Sequence, residues 1–128
     1  MEVKQDKAYQ QAAGCLPPLR AAQLAALEGQ EEVEELRVRA GRPPAVKTAR
    51  GERELELAVV TAQELREILS RAARYSVHSY TESLKNGFVT LTGGHRLGVC
   101  GTAAEENGKV VGIRGLSSVN LRIARQAW

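Results

Sequence analysis

The sequence predicts an α+β fold with a mostly antiparallel sheet and helices on one face. Helical segments come first, strands follow, and a second group of helices precedes the remaining strands, an order typical of this class. Asn107-Gly108 is a strong signal for a type I′ hairpin, and Val119–Ile123 alternates as a half-buried strand does. With 128 residues and only 4% aromatics, the chain is predicted to be one domain with an aliphatic core.

The opening residues predict two short helices. Residues 5–13 form the first, which Gly14 ends, and Pro17-Pro18 begins a second helix that Gly29 ends. We therefore expect residues 1–31 to be a helical lead-in to the sheet.

Alternating residues predict three strands in the next part of the chain. In the first of them Leu36 and Val38 share one face. Gly41 and Pro43 lie in the turn that follows, because proline cannot continue a central strand. The predicted strands are residues 35–39, 45–48 and 55–60, and the predicted turns are residues 41–44 and 50–52.

Two helices are predicted after these strands. Thr61 and Glu64 have the spacing of a capping box at the start of the longer helix. A shorter helix is predicted at residues 77–85. The buried face of the longer helix is marked by apolar residues at helical spacing, namely Leu65, Ile68, Leu69 and Ala72.

The most distinctive segment, residues 87–101, combines strand-like alternation with interrupting glycines. Glycine weakens a strand, so Gly93, Gly94, Gly98 and Gly101 indicate a turn, a bulge or a close backbone approach. One interpretation is a bulged hairpin, and the other is a surface where a second chain or a ligand lies against bare backbone. The strands predicted here are residues 88–91, 95–100, 102–105 and 109–113.

The positive charge is concentrated in the second half of the chain. Residues 1–70 carry 10 Lys/Arg and 12 Asp/Glu, whereas residues 71–128 carry 8 and 3. This excess favours a protein or nucleotide partner over DNA, and no aromatics alternate with the arginines as in single-strand binders. No nucleic acid is therefore expected as a partner. The polar N-terminus and the lack of a long apolar run predict a cytoplasmic protein.

The cysteines and histidines do not form a recognisable reactive or metal-binding pattern. Cys15 and Cys100 are far apart in sequence, and both are predicted to be buried and reduced. His78 and His95 lack further ligands at metal-site spacing. We therefore predict no metal site and no catalytic residue.

Regular pleating would place several arginines on the sheet face that the helices leave open. A bulge at the glycines would turn Arg96 to the opposite face. The arginines concerned are Arg37, Arg39, Arg96 and Arg122.

Three motifs identify a family. Glu35–Pro43, Gly87–Gly98 and Ser117–Arg125 resemble, in order and spacing, the signature segments of the stage III sporulation protein AA family. The resemblance covers residues 32–126. That family is similar to the ATPases of type II secretion and type IV pili.

The resemblance implies an N-terminal sheet domain of PAS-like type followed by a RecA-like motor. It implies that the parent protein is a hexamer that uses ATP and Mg²⁺ at the channel between mother cell and forespore. Its implied partners are its own motor, like subunits and membrane proteins of that channel, and its implied location is peripheral at the mother-cell membrane. This chain contains no G-x-x-x-x-G-K-[ST] sequence, so we expect the N-terminal domain alone, without cofactor or enzyme activity.

The arginines are the candidate functional residues. Arg37, Arg39 and Arg96 could face a nucleotide or a neighbouring subunit, since guanidinium binds phosphate bidentately. The alternatives are a solvated sheet face for the first two and a structural role in the turn for Arg96. Arg122 and Arg125 could dock the domain on its motor, or only solubilise a strand end.

A second class of function stays open at this stage. The basic C-terminal half could make the chain a free-standing nucleic-acid-binding module, which salt-dependent binding would reveal. An independent enzyme has little support, because no nucleophile, acid–base pair or phosphate loop is evident in the sequence.

Overall fold

The computed structural model describes residues 3–76 and 87–125. Within these ranges three helices and six strands are present, together with one 3₁₀ turn at Gln30–Glu32. The helices are α1 (Lys7–Ala13), α2 (Pro18–Ala25) and α3 (Ala62–Tyr75), and the strands are β1 (Glu35–Arg39), β2 (Ala45–Thr48), β3 (Gly51–Glu54), β4 (Phe88–Thr90), β5 (Arg96–Glu106) and β6 (Lys109–Arg122).

The strands of the described residues form one antiparallel sheet in the order β3-β2-β1-β6-β5-β4. The long strand β6 returns to the centre of the sheet, where it pairs with β1 on one side and β5 on the other. This closes the two halves of the chain into one sheet and confirms the predicted α+β class.

The core lies between the helices and one face of the sheet. Alternate residues of the central strands, such as Leu36, Leu97 and Leu121, are buried in register with one another. The apolar face of α3 packs there as predicted, and Tyr9 of α1 is fully buried. The Tyr9 hydroxyl donates to the Leu24 carbonyl at 2.7 Å, and this bond joins α1 to α2. Burial raises the pKa of the same hydroxyl.

The capping box at the start of α3 is only half formed. Thr61 Oγ1 accepts from the Glu64 amide at 3.0 Å, as predicted. The Glu64 carboxylate instead accepts two bonds from Arg20 of α2, at 2.7 and 2.8 Å. Because Arg20 is 7% exposed, this bidentate pair fixes α2 against α3, a long-range contact that local spacing did not indicate.

The predicted third strand at residues 55–60 is wrong. The strand occupies Gly51–Glu54, directly after a tight turn, and Glu52 pairs with Lys47. The turn lies at residues 49–50 rather than 50–52, and Gly51 is the first residue of the strand. Its φ of +118° is one that glycine adopts readily. Leu55 and Val60 are buried as anchors of the connecting segment, and Val60 makes one parallel bridge to Ala40.

The glycine-rich predictions are resolved in three ways. Gly93 and Gly94 have φ +94° and +88° in the turn between β4 and β5. Gly98 lies inside β5, opposite Asn120, within the predicted strand at residues 95–100, so the alternative of a turn at this glycine is wrong. Gly101 lies at a shift in register between Cys100 and Thr102, which is a bulge. The type I′ hairpin predicted between β5 and β6 is also confirmed, because φ is 53° at Asn107 and 78° at Gly108.

Two further expectations concern the cysteines and a helix. Cys15 is buried as predicted, and burial raises the pKa of its thiol. Cys100 is exposed, contrary to the prediction, because it faces Ser118 on the open side of the sheet.

The helix predicted at residues 77–85, with His78, lies outside the described residues. Within the described ranges, no helix has the length and apolar character needed to cross a bilayer.

Candidate functional site

The sheet face opposite the helices carries the arginines that the sequence placed there. Arg37 pairs with Asn120, and Arg96 pairs with Arg122, in the register of the central strands. Arg39 is two residues from Arg37 and shares its face. The bulge lies beyond Cys100, so it does not turn Arg96 away from this face. We call this surface, formed by Arg37, Arg39, Arg96 and Arg122, the arginine face.

Half of the arginine face is neutralised within the chain. Glu52 of β3 accepts from Arg37 Nη1 and Arg39 Nη2, each at 2.8 Å. The hydrogen bond from Arg39 has the largest effect on the pKa of Glu52, and that from Arg37 the next largest. Together they hold this pKa below its usual range. A second, longer contact of 3.6 Å joins Arg37 to Glu35. An anionic partner that approached Arg37 or Arg39 would therefore compete with Glu52.

The other half of the arginine face has no such carboxylate. Among the described residues, Arg96 and Arg122 make no ion pair, and both are exposed. The Arg96 guanidinium lies over the Phe88 ring, 4.6 Å from its centroid. The two arginines line a pocket of about 310 Å³ next to the end of β6.

The turn between β4 and β5 is fixed by His95. Its ring is 1% exposed, and its Nδ1 accepts from the Ala124 amide at 3.0 Å. Since Nδ1 is an acceptor, the proton lies on Nε2, which donates to Gln11 Oε1 at 2.9 Å. Burial, and then the charge of Arg125, lower the pKa of His95, so the ring is neutral at pH 7.

Arg125 fixes the same end of β6 to the lead-in. Its guanidinium donates to the carbonyls of Val33 and Gln30 and to Asp6 Oδ2, the last two at 2.8 and 3.1 Å. The Ile123 amide adds a bond to the Glu34 carbonyl at 2.9 Å. We call these contacts the exit clasp: the hydrogen bonds of His95 to Gln11 and Ala124, and those of Ile123 and Arg125 to residues 6 and 30–34.

The structure therefore separates residues that the sequence grouped together. Arg122 faces the open pocket with Arg96, whereas Arg125 is bound to the lead-in. The structural role of His95 was missed, because its partner Gln11 is 84 residues away. The sequence did offer one signal for this role, a histidine directly after two glycines. Local patterns cannot show that its partner lies in a distant helix. No cluster of His, Cys, Asp or Glu suited to a metal occurs among the described residues.

The fold and the site define a small α+β domain with one covered sheet face and one arginine face. The sequence model of the family "Sporulation stage III, protein AA" matches residues 3–128. The chain is also 45% identical, over 96 residues, to stage III sporulation protein AA of Bacillus subtilis (strain 168). The chain thus belongs to the sporulation stage III protein AA family, as its motifs indicated. The alignment covers 74% of this chain and 31% of that relative, so the chain spans about a third of the relative's length.

Replacing Gly93 by alanine should break the exit clasp. A Cβ at this position would overlap Gln11 Oε1 and lie 3.0 Å from His95 Nε2, and φ is +94°. Gly41→Ala is the matched control, because φ there is +81° and nothing lies within 4 Å of the added Cβ. We expect urea unfolding to show a loss of about 1 kcal/mol for Gly41→Ala and about 2 kcal/mol more for Gly93→Ala. Equal losses would contradict the role given to the Gln11–His95 bond.

The clasp should also make stability depend on pH through His95. Its pKa is lower in the folded chain than in the unfolded chain, so the unfolded state binds the extra proton first. The stabilisation is complete above the unfolded pKa of about 6.5 and is lost as the pH falls from there through the folded pKa.

His95→Gln should flatten this dependence, because glutamine does not titrate. The measurement is the free energy of unfolding in urea at intervals between pH 7.5 and pH 5 for both proteins. The wild type should approach the variant as the pH falls. Parallel curves for the two proteins would show that His95 is not the responsible group.

Proposed function

We propose that the chain is the non-catalytic N-terminal domain of a sporulation ATPase, where it serves oligomer assembly and couples the motor to its partners. On this proposal the parent protein is a hexamer with a PAS-like N-terminal domain, and its RecA-like motor binds ATP and Mg²⁺. It would power the channel between mother cell and forespore. The domain would lie in the cytoplasm, peripheral at the mother-cell membrane, and would meet membrane proteins of the channel.

The arginine face is the observation that carries the proposal. A sheet whose helices cover one side needs no arginines on the other side for folding, yet four arginines are gathered there. Guanidinium groups on a rigid sheet suit phosphate or carboxylate groups of a partner. The chain has no phosphate loop of its own, so this surface fits binding rather than hydrolysis.

The exit clasp supports a role in coupling. It binds the last described residues to the lead-in through both side-chain and backbone contacts. On this proposal, a motor that follows the domain in the parent protein would be joined near the clasped residues. A movement of that motor would then displace the arginine face as well. The Bacillus subtilis relative has about two thirds of its length outside the aligned region, which leaves room for a motor domain there.

The test uses the full-length protein that contains this sequence. The double variant Arg37→Ala, Arg39→Ala removes two guanidinium groups that Glu52 holds in place. If these groups reach the nucleotide or a neighbouring subunit, ATP turnover should fall by about tenfold or more. Arg53→Ala is the matched control, because Arg53 is exposed on β3 opposite Val46 and therefore on the other face.

Unchanged ATP turnover in the double variant would contradict the role of the arginine face. A full-length protein without ATP turnover would contradict the proposal as a whole. Binding of duplex DNA by the 128-residue chain that weakens with added salt would instead favour a nucleic-acid-binding module.

A further inference from the structure

We infer that Arg96 and Arg122 together form a binding site for a carboxylate group carried by an acidic segment of a protein partner. The inference rests on the proposed docking function and names the chemistry of the partner. The two arginines are directly opposite each other on neighbouring strands and line one pocket, with Gly94, Ile123 and Ala124 as its other walls.

The placement of these two cations side by side favours the binding of an anion between them. Side chains directly opposite each other in an antiparallel pair approach closely, and like charges in that position repel. Glu35 is the cross-strand partner of Arg122 on the other side, but its ion pair is with Arg37. Among the described residues no carboxylate neutralises Arg96 or Arg122, so an external anion would relieve the repulsion.

The position of the Arg96 guanidinium is restricted before any anion binds. It lies over the Phe88 ring at 4.6 Å, and the interaction with the ring restricts its position. Less side-chain entropy is then lost when a partner binds.

The remaining donors of the pocket favour carboxylate over phosphate. Phosphate sites commonly use several free backbone amides, as in the anion-binding nests of phosphate loops. Here the amides of Gly94, Ile123 and Ala124 are already used by Leu91, Glu34 and His95 respectively. The free donors of these walls are therefore the planar guanidinium groups, whose paired N–H groups match the two oxygens of a carboxylate.

The same face shows how a carboxylate binds between two of its arginines. Glu52 bridges Arg37 and Arg39 with three hydrogen bonds of 2.8 to 3.2 Å. Arg96 and Arg122 are a second pair of arginines on this face, placed across two strands rather than along one, and no described carboxylate binds them. An aspartate or glutamate on a partner could occupy the equivalent place, and neighbouring acidic residues would add attraction to the basic half of the chain.

The experiment is a titration of the ¹⁵N-labelled 128-residue chain with a hexaglutamate peptide, followed by NMR. We expect shifts centred on the Gly94 and Ala124 amides and on the side-chain Nε–H groups of Arg96 and Arg122. The double variant Arg96→Ala, Arg122→Ala should bind the peptide at least about tenfold more weakly. The control Arg50→Ala, Arg53→Ala removes an equal charge at exposed positions in the turn between β2 and β3 and in β3, and it should bind as the wild type does.

Two controls keep the result specific. The amide spectra of each variant before titration show whether it is folded. The variant Arg96→Lys, Arg122→Lys keeps the charge but loses the planar donors, so it should bind more weakly than the wild type.

Three outcomes would overturn the inference. The peptide could fail to bind, or it could bind the double alanine variant as tightly as the wild type. Pyrophosphate could also bind the same residues more tightly than the peptide at equal ionic strength, which would assign the site to phosphate. None of these results affects the ATP turnover test, which uses Arg37 and Arg39, so failure of this site is distinguishable from failure of the proposed function.

Discussion

The arrangement of this domain depends on the two hydrogen bonds of the His95 imidazole. It is buried and neutral, and it bridges the Gln11 side chain in α1 and the Ala124 amide at the end of β6. One side chain in a tight turn thus joins the first helix, the β4–β5 connection and the last strand. Gly93 makes this possible because its missing side chain leaves the space that Gln11 occupies.

The exposure of the arginine face is the second feature of this arrangement. The apolar residues of the helices pack on one face of the sheet, and the arginine face stays open on the other. The face divides into two halves of different character. Arg37 and Arg39 are held by Glu52, whereas Arg96 and Arg122 lack an acidic partner among the described residues. We propose that the first half exchanges one anion for another and that the second half accepts one directly.

The features predicted from the sequence are the local ones. The hairpin at Asn107-Gly108 and the alternation of β1 depend on neighbouring residues, so the sequence alone was sufficient for them. The third strand was misplaced because the apolar residues Leu55 and Val60 are anchors of a connection rather than members of a strand. Glu64 was assigned to its own helix end, whereas a buried arginine 44 residues away binds its carboxylate.

The residues of the candidate site could be predicted from the sequence, but the partners that they bind could not. Alternation placed four arginines on one face, and register confirmed that placement. The partners of these arginines depend on long-range pairing, which single-sequence patterns do not contain. Glu52 meets Arg37 because β3 pairs with β2 in the sheet, so that Glu52 lies two strands from Arg37 on the same face. Arg125 differs from Arg122 because the carbonyls of Gln30 and Val33 lie within its reach.

The most direct test of the proposed function is the mass of the native protein in its source cells, detected with an antibody against this chain. The account predicts a species much heavier than 13.9 kDa whose additional sequence contains a phosphate loop. A native species of 13.9 kDa would contradict it. The arginine face would then belong to a free-standing module that binds nucleic acid or another protein.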